Sequence, residues 1–316
     1  MIYIFTEAND DPSSRVFFAL RNYDTEVLRI NLDSNYVGFS FCLDGFNETR
    51  MKIFYEGNER IIESNDVFWF RRGNLGSYLF MNNEKNAKFV DFIADEKRAL
   101  EVFITKILMK RHYCLGNANL HNIGKLEVLL AEKSVGLPIP KSIVTYDRTV
   151  LIETGISKFV CKPFSDVLIM ESGNCVYHSF IEEYKVTDLQ DYFGNSLFQE
   201  SIDFEYEIRL LCVERKIFAA KSIHKKRGHI DTRHLSNAGV HYSKIVLNEV
   251  IQQSLFRLCE SLQTNFGVID FLVDKEGTLW FTDFNPCGQY DEIFEYCYPD
   301  INDYIANLLY EKGINK

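Results

Sequence analysis

The stretch from Gly267 to Glu292 sets the strongest constraint on how this chain can fold. Val268–Val273 and Thr278–Phe284 are rich in β-branched and aromatic residues, and the turn between them, Asp274–Gly277, is polar and ends in glycine. That pattern predicts a β-hairpin. Strand side chains alternate in direction, so Ile269, Phe271, Leu279 and Phe281 face a core while Asp270 lies on the other face of the first strand. Asp283 and Asn285 are two apart on the second strand and share a face. Folding the hairpin back gathers Asp270, Asp283 and Asn285 on one surface. Such a set suits Mg²⁺, which takes few protein carboxylates and shares its shell with phosphate oxygens and water. A solvated hairpin face would carry the same residues, so spacing alone leaves both readings open.

Composition narrows the class. The chain has 316 residues, 46% hydrophobic and 25% charged, which is enough to bury a large core and suggests about two domains by length. No apolar run reaches the length of a membrane span. Met1–Phe5 goes straight into polar sequence and reads as a buried strand, not a signal peptide. The eight cysteines form no CxxC pair, so a zinc site is not expected and reduced thiols in a cytoplasm are. A net charge of −10 argues against nucleic-acid binding and requires a local basic patch for any anionic substrate.

In chain order, strand 1–5, helix Arg15–Arg21 capped by Ser13 or Ser14, and strand Glu26–Asn31 predict a βαβ start. Turn signals at Asp44-Gly45 and Gly57-Asn58 separate the apolar segments Phe39–Leu43, Met51–Tyr55 and Val67–Arg71. Arg71 and Arg72 end the last of these, where a ligand-binding pair and a solvated surface pair are equally expected. Helical spacing predicts a long helix near 83–110 and a second at 123–135, with Leu126, Leu129 and Leu130 inward. The middle of the chain alternates short strands and turns, including hairpin signals at Ser172-Gly-Asn and Val213-Glu-Arg-Lys, and predicts antiparallel sheet. Residues His224–His234 form a basic loop. A helix near 248–264 buries Ile251, Leu255, Leu258 and Leu262, and a C-terminal helix covers about 301–311.

Read together, these segments resemble the ATP-grasp fold over nearly the whole chain. Lys125 to Pro140 is similar to the family's opening helix, and Phe159–Lys162 to the strand with the second nucleotide-binding lysine. Gln199–Ile202 resembles the adenine-receiving segment, and Glu207–Arg209 with Ala219–Lys221 the next two strands. Asp231 and Arg233 sit in a loop similar to that near the transferred phosphoryl group. Asp270, Asp283 and Asn285 match the metal-binding end, with Asp283 standing where the family usually has Glu. Within the fold, Leu28–Asn31, Phe68–Gly73 and Asn285-Pro-Cys-Gly-Gln289 resemble the peptide maturases of graspetide (ω-ester and ω-amide) biosynthesis, most narrowly those of grasp-with-spasm systems.

The resemblance implies an α/β (α+β) architecture. A pre-ATP-grasp domain spans residues 1–115, a central domain 116–195 and a C-terminal domain 196–316, with ATP between two sheets. It implies an ADP-forming ligase with ATP and Mg²⁺, the metal held by Asp270, Asp283 and Asn285. Lys125 and Lys162 hold phosphates, and Lys221 also lies in the nucleotide set. Gln199, Glu200, Ser201 and Ile202 receive adenine, and Glu207 receives ribose. Arg209 and Arg233 clamp carboxylate and acyl phosphate. Asp231, His224, His229 and His234 are open as a base, and the loop Ser165–Cys175 is expected to cover the phosphates.

The implied partner is a ribosomal precursor peptide with a leader and an acidic core. A radical SAM/SPASM enzyme of the same pathway and a homodimer are further expectations. A leader site is expected around Phe180–Phe193, with Tyr184, Leu189, Tyr192 and Phe193 as exposed anchors beside acidic residues, although an ordinary domain helix fits the stretch as well. Two other activities stay open: a ligase adding a free amino acid to a peptide or small molecule, and a non-catalytic nucleotide-binding scaffold.

Overall fold

The computed structural model describes residues 1–33, 37–42, 50–73, 75, 90–164, 169–172, 175–178, 182–224 and 240–314. The chain opens with β1 (Ile2–Thr6), α1 (Asp11–Leu20), β2 (Val27–Asn31), β3 (Val37–Ser40), β4 (Lys52–Tyr55), β5 (Asn58–Ile61), β6 (Val67–Phe70), α2 (Val90–Arg111) and β7 (Tyr113–Leu115). The expected βαβ start is present, and β2-β1-β6-β7 form a parallel sheet. Every residue of β1 and β6 is buried, because both faces are covered. Ile2, Ile4, Val67 and Trp69 enter one core with α1 and the C-terminal helix, while Tyr3, Phe5, Phe68 and Phe70 enter another with Ile104 and Leu108 of α2. The Gly57-Asn58 signal marks the β4–β5 turn, where Glu56 and Gly57 both take positive φ as a two-residue hairpin turn requires. The Asp44-Gly45 signal lies outside the described residues.

Helix α1 starts earlier than its serines suggested. Asp10 is the N-cap, its carboxylate accepting from the Ser13 amide at 3.0 Å, and Pro12 stands in the first turn. Asp followed closely by Pro is the stronger N-terminal signal, because Pro has no amide to satisfy there.

The next elements are α3 (Lys125–Val135), β8 (Ser142–Asp147), α4 (Arg148–Glu153), β9 (Lys158–Lys162), β10 (Ile169–Ser172), β11 (Cys175–His178), β12 (Glu182–Lys185) and β13 (Tyr192–Glu200). Strands β12-β9-β13-β8 form an antiparallel sheet, and β10 pairs with β11. One face of this sheet, through Phe159 and Phe198, packs with Leu151 of α4. The other carries Val160, Lys162, Leu197 and Gln199 toward α3. The expected inward face of α3 is corrected: Val128, Leu129 and Glu132 are buried, whereas Leu126 and Leu130 are exposed. The helix is apolar on two sides, and the side chosen is the one that meets the rest of the molecule.

The C-terminal part contains β14 (Phe204–Val213), β15 (Lys216–His224), β16 (Val240–Ile245), α5 (Glu249–Ser261), β17 (Phe266–Asp274), β18 (Leu279–Asn285), α6 (Asp291–Tyr296) and α7 (Ile301–Ile314). Its antiparallel sheet has the order β16-β15-β14-β17-β18. Leu211, Val213, Phe266 and Val268 pack on one side with α1 and α7 residues. Ile208, Leu210, Ile269 and Phe271 pack on the other with α3 and α5. The N-terminal sheet and α3 therefore sit on opposite sides of this sheet, and the opening hairpin, β17–β18, is its edge. No helix among the described residues is long and apolar enough to cross a membrane.

The segment 180–193 is not a helix where it is described. It contains β12, a 3-10 turn at Val186–Asp188 and the start of β13. Leu189 and Phe193 are packed against Leu151, Phe159, Val186 and Phe198, so they are not exposed anchors. Tyr192 is exposed and stacks on Tyr146, with ring centroids 6.5 Å apart.

Candidate active site

The site begins with a fault in the hairpin's alternation. Strict alternation from Leu279 and Phe281 would carry Asp283 onto the core face. Instead Asp270 pairs with Asp283 and Phe271 with Phe281, leaving Thr282 as the unpaired residue of a β-bulge. Its hydroxyl donates to the Asp270 carbonyl at 3.0 Å. A bulge shifts the pleat by one residue. Phe284 thereby turns into the core, over Gly267, where a Cβ would stand 2.5 Å from the ring. Asp283 turns to the face of Asp270, and Asn285 follows it.

Register then builds a row of charge. Arg209 of β14 pairs with Asp270 of β17, and Asp270 with Asp283 of β18. Arg209 donates from one nitrogen to both Asp270 oxygens at 3.0 and 2.9 Å. Lys125, the first residue of α3, reaches Asp283 at 3.0 Å. The row reads plus, minus, minus, plus. Burial, with Asp283 adding to it, raises the Asp270 carboxyl to about 6 against the pull of Arg209. Two facing carboxylates with a cation at each end form a site whose own charges nearly cancel.

Lys162 stands above this row on the facing sheet. Its ammonium donates to the Thr282 carbonyl at 2.9 Å, its one hydrogen bond among the described residues. Burial lowers it to about 8, with Asp283 acting in the opposite sense. Lys125, Lys162, Gln199, Thr282 and Asp283 line one cleft between β13, α3 and β18. An adjoining cleft holds Lys125, Asp283 and Asn285 with His121. His121 donates to the Gly73 carbonyl at 2.6 Å, and burial lowers its pKa, so it is a neutral tether.

The remaining expected residues divide. Gln199 is buried and donates to the Ser142 hydroxyl at 2.9 Å. Glu200 and Ile202 are half-buried at the end of β13. The Ser201 hydroxyl is taken by Glu183 at 2.6 Å. Glu207 shares the face of Arg209, and its charge acts on Asp270. Lys221 is not brought to this face: it pairs with Ile208, whose side chain is in the opposite core, and its ammonium lies 3.6 Å from the centre of the Tyr206 ring. Arg233, Asp231, His229 and His234 lie outside the described residues, as does most of the loop 165–175.

Two groups that sequence reasoning missed hold the site from behind. Arg71 is neither a ligand-facing nor a solvated arginine; it is fully buried and pairs with the equally buried Asp10 at 3.1 Å. It also donates to the Cys287 carbonyl at 2.7 Å and the Gln289 side-chain oxygen at 2.8 Å. The Gln289 carbonyl in turn accepts from Arg209 at 2.8 Å. Gly288 between them packs where a Cβ would be 2.5 Å from the Val268 Cβ. The N-terminal sheet thus fixes the loop after β18, and the loop fixes Arg209. An arginine directly after four apolar strand residues was the available signal.

The donor set fits a shared Mg²⁺. Asp270, Asp283 and Asn285 offer two carboxylates and an amide oxygen, and among the described residues no cluster of three His, Cys, Asp or Glu forms a self-sufficient cage. The Asn285 oxygen also accepts from the Cys287 amide at 2.9 Å, which orients it. Such a partial shell leaves positions for phosphate oxygens.

No family model matches the chain, and no curated protein sequence matches it. Solved structures do. The chain is similar to a Chryseobacterium gregarium RiPP-associated ATP-grasp ligase in complex with ADP and a leader and core peptide, at 20% identity and TM-score 0.73, covering 98% of this chain and 96% of that one. It is similar to macrocyclase MdnC from Microcystis aeruginosa bound with precursor peptide MdnA, at 18% identity and TM-score 0.75, covering 98% and 99%. A third likeness is to ATP-grasp ligase PsnB complexed with minimal precursor, Mg and ADP, at 14% identity and TM-score 0.68, covering 99% and 97%. With its two antiparallel sheets flanking a lysine- and carboxylate-lined cleft, the chain has the ATP-grasp fold from end to end.

Proposed function

We propose that this protein is an ATP-dependent, ADP-forming ligase that joins Asp or Glu side chains of a ribosomal precursor peptide to Thr, Ser or Lys side chains of the same peptide. The observation that carries the reading is the row Arg209–Asp270–Asp283–Lys125 beneath the half-buried Lys162. The likeness to peptide-bound ATP-grasp ligases supports the substrate class.

The acceptor carboxylate attacks the γ-phosphorus, the bond to the β-phosphate oxygen breaks, and ADP leaves. A hydroxyl or amine then attacks the acyl carbon, phosphate leaves, and the attacking group loses its proton. Bound Mg²⁺ supplies charge neutralisation for the phosphates. Lys162 and Lys125 bring ammonium groups to the phosphates, with Asp283 holding Lys125 until they arrive. Arg209, tethered by Gln289, presents its guanidinium to the acceptor carboxylate and acyl phosphate. In this reading Arg233 adds a second guanidinium and Asp231 a proton acceptor. Residues 1–115, 116–195 and 196–316 serve as N-terminal, nucleotide-covering and metal-holding domains. A cytoplasmic setting, a homodimer and a radical SAM/SPASM enzyme in the same pathway complete the proposal.

Purified protein is incubated with a precursor encoded beside it, ATP and Mg²⁺, and the peptide is weighed by mass spectrometry. Loss of one water mass per crosslink supports the reading. A gain in mass points to addition of a free amino acid, and nucleotide binding without ADP formation under any acceptor points to a scaffold.

A further inference from the structure

The N-terminal sheet has a crevice of its own. In an open parallel sheet, ligands favour the carboxyl ends of the strands at the point where the winding reverses. The order β2-β1-β6-β7 reverses between β1 and β6, because the chain adds β2 on one side of β1 and then β6 on the other. Residues 7–10 after β1 and 71–73 after β6 bound the crevice there. The Phe5 carbonyl accepts from the amides of both Arg71 and Arg72, at 2.9 and 3.2 Å. Two successive amides on one acceptor make a bulge, which turns both arginines toward Asp10. They approach its carboxylate to 3.1 and 4.0 Å.

The two arginines are used differently. Arg71 is engaged by Asp10, Cys287 and Gln289. The Arg72 side chain is 32% exposed, and its guanidinium makes no hydrogen bond among the described residues; Glu7 and Asp10 stand 3.7 and 4.0 Å away. Asp10 is already taken by Arg71, and Glu7 is 40% exposed, so neither contact ties Arg72 down strongly. The other polar groups here are turned inward: Arg29 donates to the Glu7 carbonyl at 2.8 Å, and Asp33 accepts from the Ala8 amide at 3.0 Å. Arg72 thus keeps a planar fork of donors open at the crevice. The crevice adjoins the metal face, because the Gly73 carbonyl accepts from His121, which lines one cleft with Asp283 and Asn285. We propose that Arg72 docks a carboxylate of the precursor peptide, which fits the fork through two parallel hydrogen bonds. Arg209, which serves the reacting carboxylate, is reached only through Gln289 and Arg71. The acid on Arg72 is therefore a different residue of the peptide. This rests on the peptide reading above and adds a specificity contact from the N-terminal sheet.

The test is a binding cycle on the full chain with Mg²⁺ and ADP, read by fluorescence anisotropy of a labelled precursor encoded beside it. A series of the same peptide carries one Asp or Glu at a time changed to Asn or Gln. Arg72→Gln weakens the unchanged peptide about tenfold and leaves ADP affinity within about twofold of wild type. One peptide of the series binds wild type about tenfold more weakly, and Arg72→Gln weakens that peptide no further. Wild type that binds every peptide of the series equally overturns this inference whatever the variant does. Losses that add for every peptide also overturn it, as does an Arg72→Gln protein that loses ADP and peptide alike, since its role is then structural. Wild type that binds ADP but no precursor overturns the peptide reading and this inference with it.

Discussion

Arg71 and Glu132 are both ionisable, both fully buried, and both stand behind the hairpin, but on opposite sides of its sheet. Arg71 is held by protein: Asp10, the Cys287 carbonyl and the Gln289 side chain take its two terminal nitrogens, and its Nε alone has no partner. Glu132 is completed by nothing in the described residues. A buried ion with several protein partners holds backbone in place, whereas a buried carboxyl with no partner ties nothing down. The difference separates a group that positions the loop after β18 from one that positions nothing.

The sharpest way to break this contrast is to remove each partner in turn. Arg71→Met strands the Asp10 charge and frees the loop after β18, and should destabilise the protein by about 3–5 kcal/mol in urea unfolding. Adding Asp10→Asn, which removes the charge and keeps a capping side chain, should recover part of that loss. A double variant no more stable than Arg71→Met would mean that Arg71 acts through the loop alone. Asp270→Asn changes the row itself. ADP formation should fall about 100- to 1000-fold in a coupled assay. Turnover within a few-fold of wild type would remove the hairpin from the chemistry.

Glu132 makes a different kind of prediction. Its carboxyl titrates at about 10 in the folded chain against 4.5 unfolded. Its protonated form is favoured by folding, so its contribution is fully present below the unfolded value and is lost as pH rises toward the folded one. Between those values wild type should lose up to about 1.4 kcal/mol per pH unit relative to Glu132→Gln, measured by unfolding at a series of pH values. Parallel curves for the two proteins would show that Glu132 titrates normally. The smallest effect is expected from Glu132→Met at pH 5. Apolar volume replaces a group with no partner, and stability should stay within about 1 kcal/mol of wild type. A loss like that of Arg71→Met would mean that Glu132 has a protein partner, and the contrast would fail.

Much of the fold was legible from local pattern. The buried runs at 2–6 and 67–70, the apolar face of α5, and the hairpins at 213–216 and 267–285 follow from periodicity and turn residues. The chain ends of the site were legible as types: Lys125, Lys162, Arg209, Asp270 and Asp283 are the residues a phosphate and metal site needs. Less legible was which face of α3 would turn inward, because Leu126 and Leu130 offered an equally apolar alternative. The strand at 182–185 was hidden for a similar reason, since a short segment of mixed polarity carries no clear period.

The sequence by itself determined the order of elements and the supply of charged groups, because both depend on neighbours a few residues away. Tertiary structure alone decided how those groups are aimed. The bulge at Thr282 exists only against the register of β17, and without it Asp283 would point into the core. Arg71 is buried because loop 285–289 crosses it, more than two hundred residues later in the chain. Glu132 is buried because α3 turns the face of Val128 and Leu129 into the molecule. Alternation and periodicity are local, but burial and register are set by what packs opposite, and the chemistry of this site depends on the second pair.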